Sequence, residues 1–194
     1  MASVATIFHS GFGHTKRVAE HIANGVGESG VESALFSVDD LGDPDAPAWD
    51  VLDRADAIVF GAPTYMGDCS AGMRQFLEAT SSRWASFAWK DKLAAGFTNS
   101  GSQNGDKQNT LVSLATFAAQ HGMVWISLGI APGNNHSAGS VDDLNRLGAS
   151  LGLKAQSNVD EPPEVAPTKA DLETAYQFGL RIAACANRWS ERQG

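Results

Sequence analysis

Short unbroken apolar runs alternate with helical repeats from one end of this chain to the other. Val4–Phe8 carries no charge and reads as a buried strand. Val18-Ala19-Glu20-His21-Ile22-Ala23 then spaces its apolar residues three and four apart, the period of a helix over 14–28. Val31–Val38, entered from Gly30, predicts a second strand. The acidic stretch Asp39–Ala48 carries Pro44 and Pro47 and reads as a loop, followed by a short segment at 48–53. Ala57–Gly61, between Asp56 and Pro63, predicts a buried central strand. Gly72–Ser81 reads as a helix with Met73, Phe76 and Leu77 on one face. Leu93–Phe97 predicts a fourth strand of small residues, and 107–121 a helix with Leu111, Leu114, Ala115 and Ala118 inward. Met123–Leu128 predicts a fifth strand. Residues 131–164 are rich in Gly, Asn and Ser and are long for a structureless connection. Thr168 caps a last helix, with Asp171 as its acidic companion, running to about Arg188.

Strands without polar alternation, separated by helices, imply an α/β fold: a doubly wound parallel sheet with helices on both faces. Ligands of such sheets bind beyond the carboxyl ends of the strands, where the strand order reverses. That rule selects three loops, 9–15, 61–68 and 98–105.

The first loop, His9-Ser10-Gly11-Phe12-Gly13-His14-Thr15, enters a helix directly. The first N–H groups of a helix lack intrahelical partners and sit at its positive end, so such a turn suits an anion. A P-loop needs GxxxxGK[ST], which nothing here matches. A dinucleotide fingerprint would need a third glycine where Lys16 stands. What remains is Ser10, Thr15 and backbone donors, an inventory that fits a monophosphate. An ordinary capped helix with a flexible entry loop fits the same residues. The second and third loops, Gly61–Asp68 and Thr98–Gly105, hold no nucleophile–base pair, carboxylate pair or GxSxG elbow. Their amides, hydroxyls and aromatics suit a flat heterocycle that brings its own chemistry. Polar surface loops are the plain alternative.

Composition narrows the classes. The 194 residues suit one domain, 1–194. A net charge of −8 argues against a nucleic-acid surface. No apolar run is long enough for a membrane span. The chain enters a strand at once, so no signal peptide is expected and a cytoplasmic location is. Cys69 and Cys185 match no redox or metal spacing, and the five His residues form no ligand pattern, so no metal is expected.

Several segments together carry a more specific resemblance: Ser10–Thr15, the run Gly61-Ala-Pro-Thr-Tyr-Met-Gly-Asp-Cys-Ser-Ala-Gly-Met-Arg-Gln-Phe-Leu77, Trp84-Ala85-Ser86, the 98–105 loop and Gln120-His121-Gly122-Met123. Across nearly its whole length the chain resembles the WrbA-type NAD(P)H:quinone oxidoreductases, a flavodoxin-like FMN family. That resemblance implies a five-stranded sheet of order 2-1-3-4-5. It implies FMN phosphate around Ser10, Gly11, Phe12, Gly13, His14 and Thr15. It implies the flavin ring and ribityl chain among Pro63, Thr64, Tyr65, Met66 and Gly67 and among Asn99, Ser100, Gly101, Ser102, Gln103 and Asn104. Phe12 matches a position that meets the nicotinamide nucleotide. Trp84 matches a wall of the quinone pocket shared between subunits of an oligomer, a dimer or tetramer. Gln120 stands where the family often has the flavin-side His of a His-His-Gly-Met run, with His121 beside it. Tyr65-Met66 replaces a common Arg–Phe pair, and Leu144–Gly152 lacks the family's Gly-Thr-Pro-Tyr-Gly run.

The resemblance implies two-electron, ping-pong transfer from NADPH or NADH to a quinone. A non-catalytic flavodoxin-type carrier, whose acidity suits basic redox partners, is the alternative. A flavin-free α/β binding protein is a third reading.

Overall fold

The structure, a computed structural model, describes residues 1–190. Each predicted apolar run becomes a strand. They are β1 (Ser3–Phe8), β2 (Glu32–Ser37), β3 (Ala57–Tyr65), β5 (Leu93–Ser100) and β6 (Val124–Trp125). Two further short strands are β4 (Asp68–Cys69) and β7 (Leu153–Gln156). The helices are α1 (His14–Glu28), α2 (Pro47–Arg54), α3 (Ala71–Ala79), α4 (Ser81–Ala85), α5 (Lys107–Gln120) and α6 (Lys169–Ser190).

The strands run in the order β2-β1-β3-β5-β6, all parallel, which is the expected order of a flavodoxin-like sheet. Residues 57–64 of β3 are buried on both faces, which explains the missing polar alternation. Neighbouring residues feed opposite cores. Val4 and Phe8 pack with Val18, Ile22 and Phe178 under α1 and α6. Ala5 and Ile7 pack with Trp49, Phe76 and Leu114 under α2, α3 and α5.

The fifth strand position differs from the expectation of one strand over Met123–Leu128. Val124 and Trp125 pair with Leu93 and Ala94, and the Ile126 N–H donates to Ala94 O at 2.7 Å. The chain then leaves the sheet at Gly129 (φ 67°) and returns as β7, which pairs with Phe97–Ser100. Leu128 N–H to Ser150 O (3.0 Å) closes the neck of this insertion. Its interior turns on Asn145, whose amide bonds the backbone of Ile130 and Ala149. Side-chain bonds like these leave no periodic pattern in a sequence, so β7 was hidden inside the polar 131–164 stretch.

Two more boundaries shift. β3 continues through Thr64 to Tyr65, because β4 pairs back on it as a hairpin. The second loop is therefore only the turn Met66-Gly67, both residues with positive φ (49° and 84°), as a tight hairpin requires. At the start of α6, Thr168 Oγ1 does accept the Asp171 N–H at 3.3 Å. The Asp171 carboxylate does not complete a capping box. It turns inward to Arg146 (2.8 Å) and to the Gln156 N–H (2.9 Å).

Helices α1 and α6 cross where a Cβ on Gly25 or Gly179 would strike the partner backbone, at Tyr176 O and Ile22 O respectively. Gly179→Val should therefore force the helices apart and cost about 1–3 kcal/mol or more, read as a lowered melting temperature. An unchanged melting curve would show that the crossing relaxes freely.

Candidate functional site

The three loops meet at the carboxyl edge of the sheet, on either side of the point where β1 and β3 diverge in direction of crossover. In the first loop, Ser10 Oγ accepts the N–H groups of Gly13 (3.1 Å) and Lys16 (3.2 Å), so its hydroxyl organises the turn. Gly13, at φ 90°, is the N-cap of α1, and a Cβ there would reach Pro163 at 2.9 Å. His9 Nδ1 lies 2.8 Å from Ser70 Oγ and ties the loop to the start of α3.

The second loop leans on the first. A Cβ at Gly11 would sit 2.5 Å from the Tyr65 hydroxyl. The Tyr65 phenol is raised above its usual range by burial, partly offset by a bond to the Gly11 backbone. The rings of Tyr65 and Phe12 meet edge-on with centroids 6.4 Å apart. Below them Thr64 Oγ1 is buried 2.8 Å from both Thr98 Oγ1 and Thr110 Oγ1, so this hydroxyl braces the sheet. Asp68 accepts the Cys69 N–H at 2.7 Å and pairs with Arg74.

Asn99 is buried and its Oδ1 accepts from Ser157 Oγ at 3.0 Å. Ser157 begins a strap, residues 157–163, that closes the site opposite the second loop. The strap is tied down by His14 Nε2, 2.8 Å from Glu161 O. That bond gives His14 a positioning task at the loop edge. Lys16 is exposed and Arg17 pairs with Glu20 at 2.8 Å, and the loop's own donors, its hydroxyls and backbone N–H groups, are neutral.

Two adjoining clefts result. One, of about 190 Å³, is lined by Phe12, His14, Thr15, Pro63, Tyr65, Asn99 and Ser157 among others. The other, of about 570 Å³, is lined by Thr64, Met66, Gly67, Ser102, Asp106 and Asp160 among others. They share Ser100, Gly101 and Val159. Among the described residues no group of His, Cys, Asp and Glu could hold a metal ion.

Residues 8–138 match the NADPH-dependent FMN reductase family, a span that includes all three loops. The chain belongs to that family. Within it this is a WrbA-type, flavodoxin-like FMN protein. The chain is 45% identical to a protein of Pseudomonas aeruginosa named flavodoxin FldP, over 94% of this chain and 96% of the relative. It is 31% identical to an NAD(P)H dehydrogenase (quinone) of Geobacter sulfurreducens, over 95% of this chain and 97% of that one. A WrbA-like flavodoxin from Agrobacterium tumefaciens, of solved structure, superimposes with a TM-score of 0.76 at 38% identity. It covers 97% of this chain and 99% of its own.

Not every residue matched to the family's pattern reaches the clefts. Gln103 and Asn104 are exposed on the loop and line neither cleft. Gln120, His121 and Trp84 line a different hollow of about 650 Å³, between α3, α4 and α5. The reason is the direction of α5: it leaves the ligand edge at Lys107 and ends at the opposite edge of the sheet. His121 is buried there, packed at a tilt against Trp89 and Phe117, with Nε2 3.0 Å from Thr80 Oγ1. Trp84, half-exposed, and Gln120 stand at the rim. Within this chain none of the three meets the loop clefts.

Other residues of the site carry no motif. Ser157, Val159 and Pro163 lie in the strap, where a polar stretch hides their position. Lys107, fully buried, supports the third loop from within. A lysine in the first turn of a helix normally reads as solvated.

Burial lowers the pKa of His121, so the unfolded chain binds its proton more readily than the native one. This contribution to stability is present at neutral pH and is lost as pH falls below about 6.5. His21, also lowered by burial, adds in the same direction. His121→Gln should flatten part of the acid slope in urea-unfolding experiments; an unaltered slope would show that His121 does not contribute to it.

Proposed function

We propose that this protein is an FMN-dependent oxidoreductase that passes electrons from NADPH or NADH to a quinone. The observation that carries the reading is the convergence of three loops, rich in backbone N–H groups, on two adjoining clefts without an acid–base pair. The residues present fit FMN. The first loop offers neutral donors for a phosphate, in a turn held open by Ser10 and by glycine at 11 and 13. The cleft between Pro63, Tyr65 and Asn99 admits a chain, and the wider one a flat ring.

Bound FMN would supply hydride acceptance and two-electron transfer. The protein's part is to hold and shield. Ser10, Gly11, Phe12, Gly13, His14 and Thr15 cradle the phosphate end. Pro63, Thr64, Tyr65, Met66 and Gly67 lie along one side and Asn99–Ser102 along the other, with Gln103 and Asn104 at the rim beyond. Phe12, 76% exposed, and Met66, fully exposed, stand at the mouth, where flat nicotinamide and quinone rings would stack in turn. Sequential use of one face is a ping-pong order. Trp84, Gln120 and His121 belong to this reading only through a homo-oligomer, in which the α3–α5 hollow of one copy faces the clefts of another. The protein acts as one domain, in the cytoplasm.

The identity to a relative named flavodoxin, together with the −8 charge, favours a second reading as an electron carrier. Anaerobic NADPH addition separates the two. Rapid bleaching of the yellow FMN-loaded protein and turnover with benzoquinone support the enzyme, whereas no bleaching without a partner reductase supports the carrier. Ser10→Ala with Thr15→Ala should weaken FMN affinity tenfold or more, about 1.4 kcal/mol, while the apoprotein keeps its circular dichroism. Unchanged affinity would refute the phosphate assignment.

A further inference from the structure

Lys107 has no solvent exposure, which is rare for a lysine, and no carboxylate lies within ion-pair distance of it among the described residues. Its ammonium instead donates to the carbonyls of Ser102 and, at 3.1 Å, Gln103. Beside it Gln156 Nε2 donates to the carbonyl of Gly101 at 2.9 Å. Three consecutive carbonyls are thus drawn towards the protein interior. In a trans peptide the N–H points opposite to the C=O. The N–H groups of Ser102, Gln103 and Asn104 are therefore turned away from Lys107 and Gln156, and none donates a hydrogen bond among the described residues. The loop is bent into this shape by two successive positive-φ residues, Gly105 (54°) and Asp106 (56°), just before α5.

We propose that Lys107 is a positioning residue for flavin binding: by pulling the Ser102 and Gln103 carbonyls inward it presents the Gln103 and Asn104 N–H groups to the electron-rich edge of the ring, with its positive charge beneath them. This rests on the flavin reading above and deepens it. It gives the exposed Gln103 and Asn104, which themselves line neither cleft, a role at the rim of the wider one, between Ser102 and Gly105, which do line it.

The surroundings make the arrangement pH-sensitive. Charged groups face Lys107 from three elements: Asp171 from α6, Lys154 from β7 and Arg146 from the insertion. Asp171 is already engaged by Arg146 and the Gln156 N–H. Burial above all pushes Lys107 down to about 8; Asp171 opposes this, and Lys154 and Arg146 add to it. Above that pH the amine is neutral and its grip on the two carbonyls loses its charge assistance. The fold itself responds in the opposite direction. Between about 8 and the ordinary 10.5 the unfolded chain holds a proton that the native one lacks, so this group's effect on stability becomes more favourable as pH rises. Burial holds the Tyr65 phenol above its usual range.

The test is FMN titration of the apoprotein, followed by flavin fluorescence from about pH 7 to about pH 9.5. It is paired with amide hydrogen exchange of residues 100–104 in the apoprotein. Wild-type affinity should fall several-fold as pH rises through about 8, without a parallel fall in melting temperature. Lys107→Met should bind FMN about tenfold more weakly at pH 7 and show no step near pH 8. It should exchange its 102–104 amides faster, yet melt no lower, because a buried charge has been removed. Gln156→Met, which frees the Gly101 carbonyl together with Asn158 Oδ1 and one Arg146 N–H but leaves the two Lys107 bonds in place, should weaken binding while keeping the step. It also serves if Lys107→Met does not fold. Wild-type affinity and pH profile in Lys107→Met, or a loss of melting temperature that accounts for the weaker binding, would overturn the proposal. A wild-type protein that takes up no FMN overturns the flavin reading itself and this proposal with it.

Discussion

A parallel sheet buried on both faces can offer a ligand only its ends. In this protein β1, β3 and β5 carry apolar residues on either side, and helices occupy both faces completely. Every polar function is therefore confined to the loops beyond the carboxyl edge, where backbone N–H groups have no strand partner. The rest of the structure serves to hold those loops still. Side chains from α5, β7 and the 157–163 strap reach them from the interior side, leaving the cleft side to N–H groups.

The insertion in the fifth strand position shows how costly such support can be to build. Splitting the strand into β6 and β7 brings Gln156 and Ser157 against the third loop. It also carries Arg146 inward, and a buried guanidinium needs a partner because an uncompensated buried charge is strongly unfavourable. Asp171 at the first turn of α6 is that partner, bonded through both oxygens. The last helix, the insertion and the ligand edge are thereby joined through one carboxylate.

The hollow between α3, α4 and α5 obeys a different constraint. A helix that starts at the ligand edge must end at the far one, so residues at its two ends cannot serve the same cleft within one chain. His121 consequently behaves as an aromatic core residue, packed at a tilt against Trp89 and Phe117. Trp84 and Gln120 stay at a surface that is open in a single chain.

Much was legible from the sequence. The apolar runs determined the five strand positions and the burial of β1, β3 and β5, because desolvating a central parallel strand demands uninterrupted hydrophobic residues; β2 and β6, at the sheet's edges, stay partly exposed. The glycines and hydroxyls at 10–15 determined a helix-entry turn, because only such residues tolerate its left-handed Gly13 and bond its free N–H groups. The side chains that shape the site were decided by tertiary structure alone. Lys107 and Asp171 look solvated in the sequence, Gln156 looks like linker, and Gln120 looks like a neighbour of the flavin. Their roles depend on hydrogen bonds and charges between residues 4 to 55 positions apart, and on the direction in which α5 leaves the edge. Local periodicity records which face of an element is buried, but not which carbonyl a buried ammonium will find.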